Sequence, residues 1–108
     1  MYVPEQGDIA WLDFEPSAGQ EIRKRRPAFV VSKKAFNKLT GFAIVAPITN
    51  TVKGMGLEIV LKSESTQGAI LIYQMRSLDF SIRNAELIET ASGSVVAEAI
   101  EKAQLVVS

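Results

Sequence analysis

Hydrophobic and polar positions fall into six short strand-like stretches along this 108-residue chain. Asp8 to Phe14 follows a glycine and sets Ala10, Leu12 and Phe14 on one face and Ile9 and Trp11 on the other, the period of two that marks a strand. Pro16-Ser17-Ala18-Gly19 ends it with turn chemistry. Pro27 to Ser32 is the second strand, and its unbroken Ala28-Phe29-Val30-Val31 run predicts burial on both faces. Lys33 to Leu39 predicts one or two helical turns closed by Thr40-Gly41. Phe42 to Thr49 is the third strand. Pro47 near its end marks an edge or a bend, because proline cannot donate to a ladder. Leu57 to Leu61, Ala69 to Met75 and Glu86 to Thr90 complete the set, with Asn50 to Gly56 and Lys62 to Gln67 as loops and Gly68 as a breaker. Arg76 to Phe80 is expected to leave the fifth strand.

The period changes near the end. Val95, Val96, Ala99, Ile100 and Ala103 recur at helical spacing, with Glu98, Glu101 and Lys102 on the other side. Ser94 is the expected N-cap, and Leu105 to Ser108 a short apolar tail. Six strands, one packed helix and no βαβ alternation predict a mainly β fold, a small and mostly antiparallel barrel. No repeat, low-complexity tract or linker divides the chain, so one domain over residues 1–108 is expected.

Composition narrows the chemistry. There is no cysteine, hence no disulfide and no thiolate metal site. There is no histidine, which removes a Ser-His triad, paired catalytic histidines and the usual zinc ligands. Acid–base work would fall to Arg, Lys, Tyr, carboxylates or hydroxyls, and no metal or cofactor is expected. Neither a signal peptide nor a membrane-spanning apolar run is visible, which fits a cytoplasmic location.

Net charge is zero, yet the charges are segregated. Arg23, Lys24, Arg25, Arg26, Lys33, Lys34 and Lys38 follow one another with no acidic residue between them. The carboxylates cluster before this window and near the C-terminus. One positive face on a neutral protein is the footprint of a polyanion partner, RNA or an acidic protein segment. A solvated charge run is the bland alternative. Arg26 stands out because it precedes Pro27, which fixes its own φ and pushes Arg26 towards extended geometry at a strand root. A guanidinium held there can pair two phosphate oxygens at once.

Four motifs in register carry a resemblance. Gly7-Asp8-Ile9-Ala10-Trp11-Leu12-Asp13-Phe14 with Pro16 is similar to the opening strand of the MazF/PemK (Kid) family of toxin endoribonucleases. Gly19, Glu21, Arg26, Pro27 and Ser32 match its Gly-x-Glu-x4-Arg-Pro signature with the apolar strand and serine that follow. Pro47-Ile48-Thr49 matches a strand ending Pro-x-Thr, and Gln74, Arg76 and Ser77 match a Gln-x-Arg-Ser run. The resemblance covers nearly the whole chain. Its basic loop, with Arg23-Lys24-Arg25 beside Arg26, is more cationic than the pattern requires.

The resemblance implies an SH3-like barrel of the CcdB/MazF type with a C-terminal helix. It implies a type II toxin that cuts single-stranded mRNA at a specific sequence without metal, leaving 2′,3′-cyclic phosphate and 5′-OH ends. It implies Arg26 and Thr49 as catalytic residues, with Glu21 either a general base or the ion-pair partner that orients Arg26. The implied RNA-binding set is Arg23, Lys24, Arg25, Lys33, Gln74, Arg76 and Ser77. Gln74 carries two donors and an acceptor and could read a base edge. Phe36, Tyr73 and Phe80 could stack on bases, though aromatics at this abundance are more often core. Trp11 is expected in the core or at a dimer interface. The implied partners are a second copy of the chain and an antitoxin whose acidic C-terminal segment covers the basic site. Two other readings differ in kind. A CcdB-type DNA gyrase poison relies on a C-terminal Trp-Gly-Ile tail, whereas this chain ends Val106-Val107-Ser108. An SH3-like peptide-binding module needs an exposed aromatic groove, and one Trp with two Tyr is a thin supply.

Overall fold

The computed structural model describes residues 1–14, 24–50, 54 and 56–107. Strands β1 (Asp8–Phe14), β2 (Lys24–Val30), β3 (Phe42–Thr49), β4 (Glu58–Lys62), β5 (Gln67–Leu71), β6 (Arg76–Asp79) and β7 (Glu86–Thr90) form one sheet, with helix α1 (Lys34–Thr40) after β2 and helix α2 (Gly93–Val107) last. The strand order is β4-β5-β3-β2-β1-β7, with β6 also beside β3, and every pairing is antiparallel. Among the described residues no pairing joins β4 to β7, so the expected barrel is an open sheet in its hydrogen bonding. No helix among them is long and apolar enough to cross a membrane.

Among the described residues the sheet has seven strands where the hydrophobic pattern predicts six. The expected fifth strand, Ala69 to Met75, breaks at Leu71 into a 3₁₀ turn, Ile72–Gln74, and the chain re-enters the sheet as β6. Both pieces pair with the same edge of β3: β5 with Ile48 and Thr49, β6 with Phe42 to Val45. The gap between them falls at Ala46 and Pro47, and proline has no N–H to offer there. Helix α2 also starts earlier than the pattern predicts. The Ser92 hydroxyl, not that of Ser94, accepts from the Val95 N–H at 3.3 Å, and the Ser92 carbonyl accepts from Val96 N–H at 3.0 Å.

Alternation on the strands feeds two cores, one on each face of the sheet. Ile9, Phe29, Ala46, Ile48, Ile59 and Ile70 pack with Ala99 and Ala103 of α2. Leu12, Ala28, Val30, Ala43 and Val45 pack on the other face with Leu78 and Phe80, and Phe14 closes over them. The unbroken apolar run of β2 is thereby explained: Phe29 enters the first core, Ala28 and Val30 the second.

Buried polar groups bolt the lead-in and α1 to this frame. The fully buried Asn37 amide donates to the carbonyls of Pro4 and Ser32, at 2.9 and 3.2 Å. Ser32 Oγ donates to Asn37 Oδ1 and accepts from Ile44 N–H at 2.8 Å, so each member of the network is satisfied. Nearby, Tyr2 OH donates to the buried Asp8 carboxylate, which also accepts from Glu5 N–H at 3.0 Å. Burial first, then the bond to Asp8 and the negative charges of Asp8 and Glu5, push the Tyr2 phenol well above its ordinary range. A phenol whose pKa is raised on folding contributes stability that is complete below its unfolded value, about 10, and is lost as pH rises beyond it. Tyr2→Phe is expected to cost about 1–3 kcal/mol near neutral pH. It should also flatten the fall in stability above pH ~10, measured by urea unfolding across an alkaline series. A variant that loses stability as steeply as the parent would show that Tyr2 is not the titrating group.

Candidate active site

Strand register builds the site. Ala28 of β2 faces Pro47 of β3, so two residues further along each antiparallel strand Arg26 comes level with Thr49. Arg26 also faces Leu12 of β1, and Thr49 faces Ala69 of β5. Period-two alternation then puts Arg26 on the side of Ala28 and Val30, and Thr49 on the side of Val45 and Pro47. That is one and the same face, the rim of the second core, where both residues are half-buried. Pro27, next to Arg26, faces Trp11, which keeps the strand root within the ladder of β1.

Arg76 reaches this face from β6. It stands opposite Val45, and its guanidinium carbon lies 5.7 Å from the centroid of the Phe14 ring. A cation over an aromatic face gains about 0.5–1 kcal/mol at an exposed site. Phe14 therefore seats Arg76, a role that sequence reading left out because the alternation of β1 assigns Phe14 only to a core face. The missing signal is long-range: β6 is absent from the expected strands, so nothing pointed Arg76 towards β1. Among the described residues neither Arg26 nor Arg76 is paired with a carboxylate. Both guanidiniums are thus available to an anionic ligand.

Arg25, Lys33 and Ser77, by contrast, are not gathered here. Arg25 alternates to the opposite face, where it is bound to Asp13 at 3.1 Å and Glu86 at 3.2 Å. Asp13 accepts from the Asn84 amide at 2.7 Å, and that bond, followed by Arg25, holds its carboxyl below the ordinary range. Lys33 lies beyond the other end of β2, seven residues from Arg26, up to about 23 Å away at ~3.3 Å per residue. Gln74 is exposed at the end of the 3₁₀ turn, and Ser77 is exposed on β6, on the side opposite to Arg76. Lys24 opens β2 opposite Phe14. Glu21 and Arg23 lie outside the described residues. Of the aromatic candidates, Phe80 is core, Tyr73 is half-buried in the turn and Phe36 is exposed on α1. Trp11 is 38% exposed and so is not part of either core.

A half-buried arginine level with a threonine, and a second arginine across the face, form an arrangement suited to stabilising negative charge on a phosphate. Among the described residues no group of three Asp or Glu side chains converges as a metal site would require.

The chain is similar to known proteins along most of its length. The chain is 36% identical over 100 residues to the endoribonuclease toxin MazF of Escherichia coli (strain K12), covering 93% of this chain and 86% of that protein. It is 39% identical over 109 residues to the endoribonuclease toxin ChpB of the same organism, covering 95% and 93%. Its fold superposes on a chain of the MazE-MazF complex (form II) of Deinococcus radiodurans with a TM-score of 0.88, at 39% identity and over 100% of both chains. Residues 5–107 match the model of the PemK-like, MazF-like toxins of type II toxin–antitoxin systems, and the chain belongs to that family.

Proposed function

We propose that this protein is a toxin that cuts single-stranded mRNA by attack of a ribose 2′-OH on the adjacent phosphate. The 2′-oxygen bonds to phosphorus, the bond to the 5′-oxygen breaks, and the ends are a 2′,3′-cyclic phosphate and a 5′-OH. The 2′-OH gives up a proton and the departing 5′-oxygen gains one. Arg26 stabilises the charge that builds on the phosphate oxygens and gives the proton to the leaving oxygen. Thr49 donates its hydroxyl to the same phosphate. Glu21 acts as the base or orients Arg26. Arg76, on Phe14, holds a neighbouring phosphate. The observation that carries this reading is the β2–β3 register, Ala28 opposite Pro47, which extended by two residues brings Arg26 level with Thr49 on one sheet face.

The same reading includes a homodimer, a cytoplasmic location, inhibition of translation, and an antitoxin whose acidic C-terminal segment occupies the Arg26–Arg76 face. Inhibition is then competition between two polyanions for one surface. The test is incubation with mixed-sequence RNA in excess chelator, followed by mapping of both fragment ends. Cleavage should persist, yield cyclic-phosphate and 5′-OH ends, and repeat at one short sequence. Activity that vanishes with chelator and returns with Mg²⁺ would replace this chemistry, and intact RNA would end the nuclease reading.

A further inference from the structure

The face that carries Arg26 and Thr49 continues across the sheet. Thr49 faces Ala69 of β5, and Ala69 faces Val60 of β4; two pairs further along the hairpin, Lys62 faces Gln67. Alternation puts Val60, Lys62 and Gln67 on the same side as Thr49. A groove of about 280 Å³ opens there, lined by Asn50, Val60, Leu61, Lys62, Gln67 and Gly68. It begins where β3 ends, since Asn50 follows Thr49 directly.

The lining has the makings of a binding site. Val60 is 53% exposed, an apolar side chain left in the open on a strand. Asn50, Lys62 and Gln67 are exposed, and no hydrogen bond or ion pair to another described residue engages their side chains. Two primary amides supply four N–H donors and two acceptors, enough to read the edge of an unstacked base. Lys62 adds a point charge suited to phosphate. The volume is at the lower end for a small-molecule site, so it fits one nucleotide rather than several. β4 is three strands from β2, about 14 Å at ~4.8 Å per strand, so the occupant is not the nucleotide held by Arg26.

We infer that this groove is a further nucleotide subsite, taking one flanking residue of the RNA and adding to sequence preference at that position. Val60 packs on the base, Asn50 and Gln67 bond its edge, and Lys62 holds its phosphate. The inference rests on the nuclease reading above. Its test uses RNAs with a 2′-deoxy sugar at the cut position, lengthened one nucleotide at a time on either side of that bond. Binding by the full chain is titrated at each length, for the parent and for a Lys62→Ala, Gln67→Ala double variant. The parent should tighten by roughly tenfold at one length step on one side, as base packing and edge contacts of this kind provide. The double variant should lose that step, and Lys62→Glu should lose it as well. These side chains are exposed, so the fold should survive all three substitutions. If the variants follow the parent at every length on an RNA that the parent cuts, the subsite is wrong while the nuclease reading stands. If the parent neither cuts nor binds any of the RNAs, the nuclease reading itself has failed.

Discussion

Arg26→Ala should lower single-turnover cleavage by about 10²–10³ or more, the usual cost of removing one preorganised donor from a developing oxyanion. The position explains the size of the effect. Arg26 is held in the β1 ladder opposite Leu12, two residues from the Ala28–Pro47 pair with β3, with Pro27 restricting its backbone. A catalytic donor has to be placed to about half an ångström, and a strand root can do that where a loop tip cannot. Arg26→Lys is the sharper variant, because it keeps the charge and loses the planar fork. It should restore binding to a 2′-deoxy RNA much better than it restores turnover. Arg25→Ala is the natural contrast. Its side chain is on the opposite face, paired with Asp13 and Glu86 in the open. Removing it should leave cleavage near the parental rate and change stability by no more than about 1 kcal/mol. If Arg26→Lys cleaves as fast as the parent, Arg26 supplies only charge. If Arg26→Ala does, the reacting phosphate is handled elsewhere.

The contrast between adjacent arginines shows where sequence reading ends. A run of four cations reads as a positive loop, yet Lys24, Arg25 and Arg26 belong to β2; Pro27 singles out Arg26, but charge density says nothing about which side of a strand each guanidinium takes. Only the pairing of β2 with β1 separates Arg26 from Arg25. The hydrophobic pattern was enough to find β1, β3, β4, β7 and α2. The unbroken apolar run found β2 but set it at Pro27 to Ser32, whereas the strand spans Lys24–Val30 because its first three residues, all cations, pair with Leu12 to Phe14 of β1. The pattern failed at β6, where Arg76-Ser77-Leu78-Asp79 has one apolar residue and owes its strand geometry to Phe42 to Val45 of β3. Sequence alone could not supply the Arg76–Phe14 contact for the same reason, since Arg76 sits on a strand that only its pairing with β3 defines. Ser32 is the reverse case. It was legible as a motif residue, and its work is structural, joining Asn37, Ile44 and the lead-in beneath α1.

Gly68→Ala should damage stability and the site together. Gly68 has φ +142, a region that side-chain-bearing residues rarely adopt, and a Cβ built there would lie 2.2 Å from the carbonyl oxygen of Thr49. That neighbour is backbone, and the strand it belongs to also pairs with β2. It cannot swing away as a flexible side chain would. Forcing the conformation costs about 1–3 kcal/mol, and the overlap adds about 1–3 kcal/mol of overpacking. A loss of about 3 kcal/mol or more is therefore expected, which for a domain of this size lowers the melting temperature by more than about 10 °C. Gly41→Ala provides the comparison. Gly41 closes α1 with φ +79, but a Cβ there would meet nothing within 4 Å. It carries the strain without the collision, about 1–2 kcal/mol, and it lies at the far end of β3 from Thr49. The two variants should therefore separate in cleavage as well as in stability. Assayed well below both melting temperatures, Gly41→Ala should cut at the parental rate. Gly68→Ala should be slower, because relief of the clash moves the Thr49 backbone away from its place level with Arg26. Equal stability of the two variants would mean that the β5–β3 contact yields cheaply. A stability loss in Gly68→Ala with undiminished cleavage would show that the reaction does not depend on where Thr49 stands.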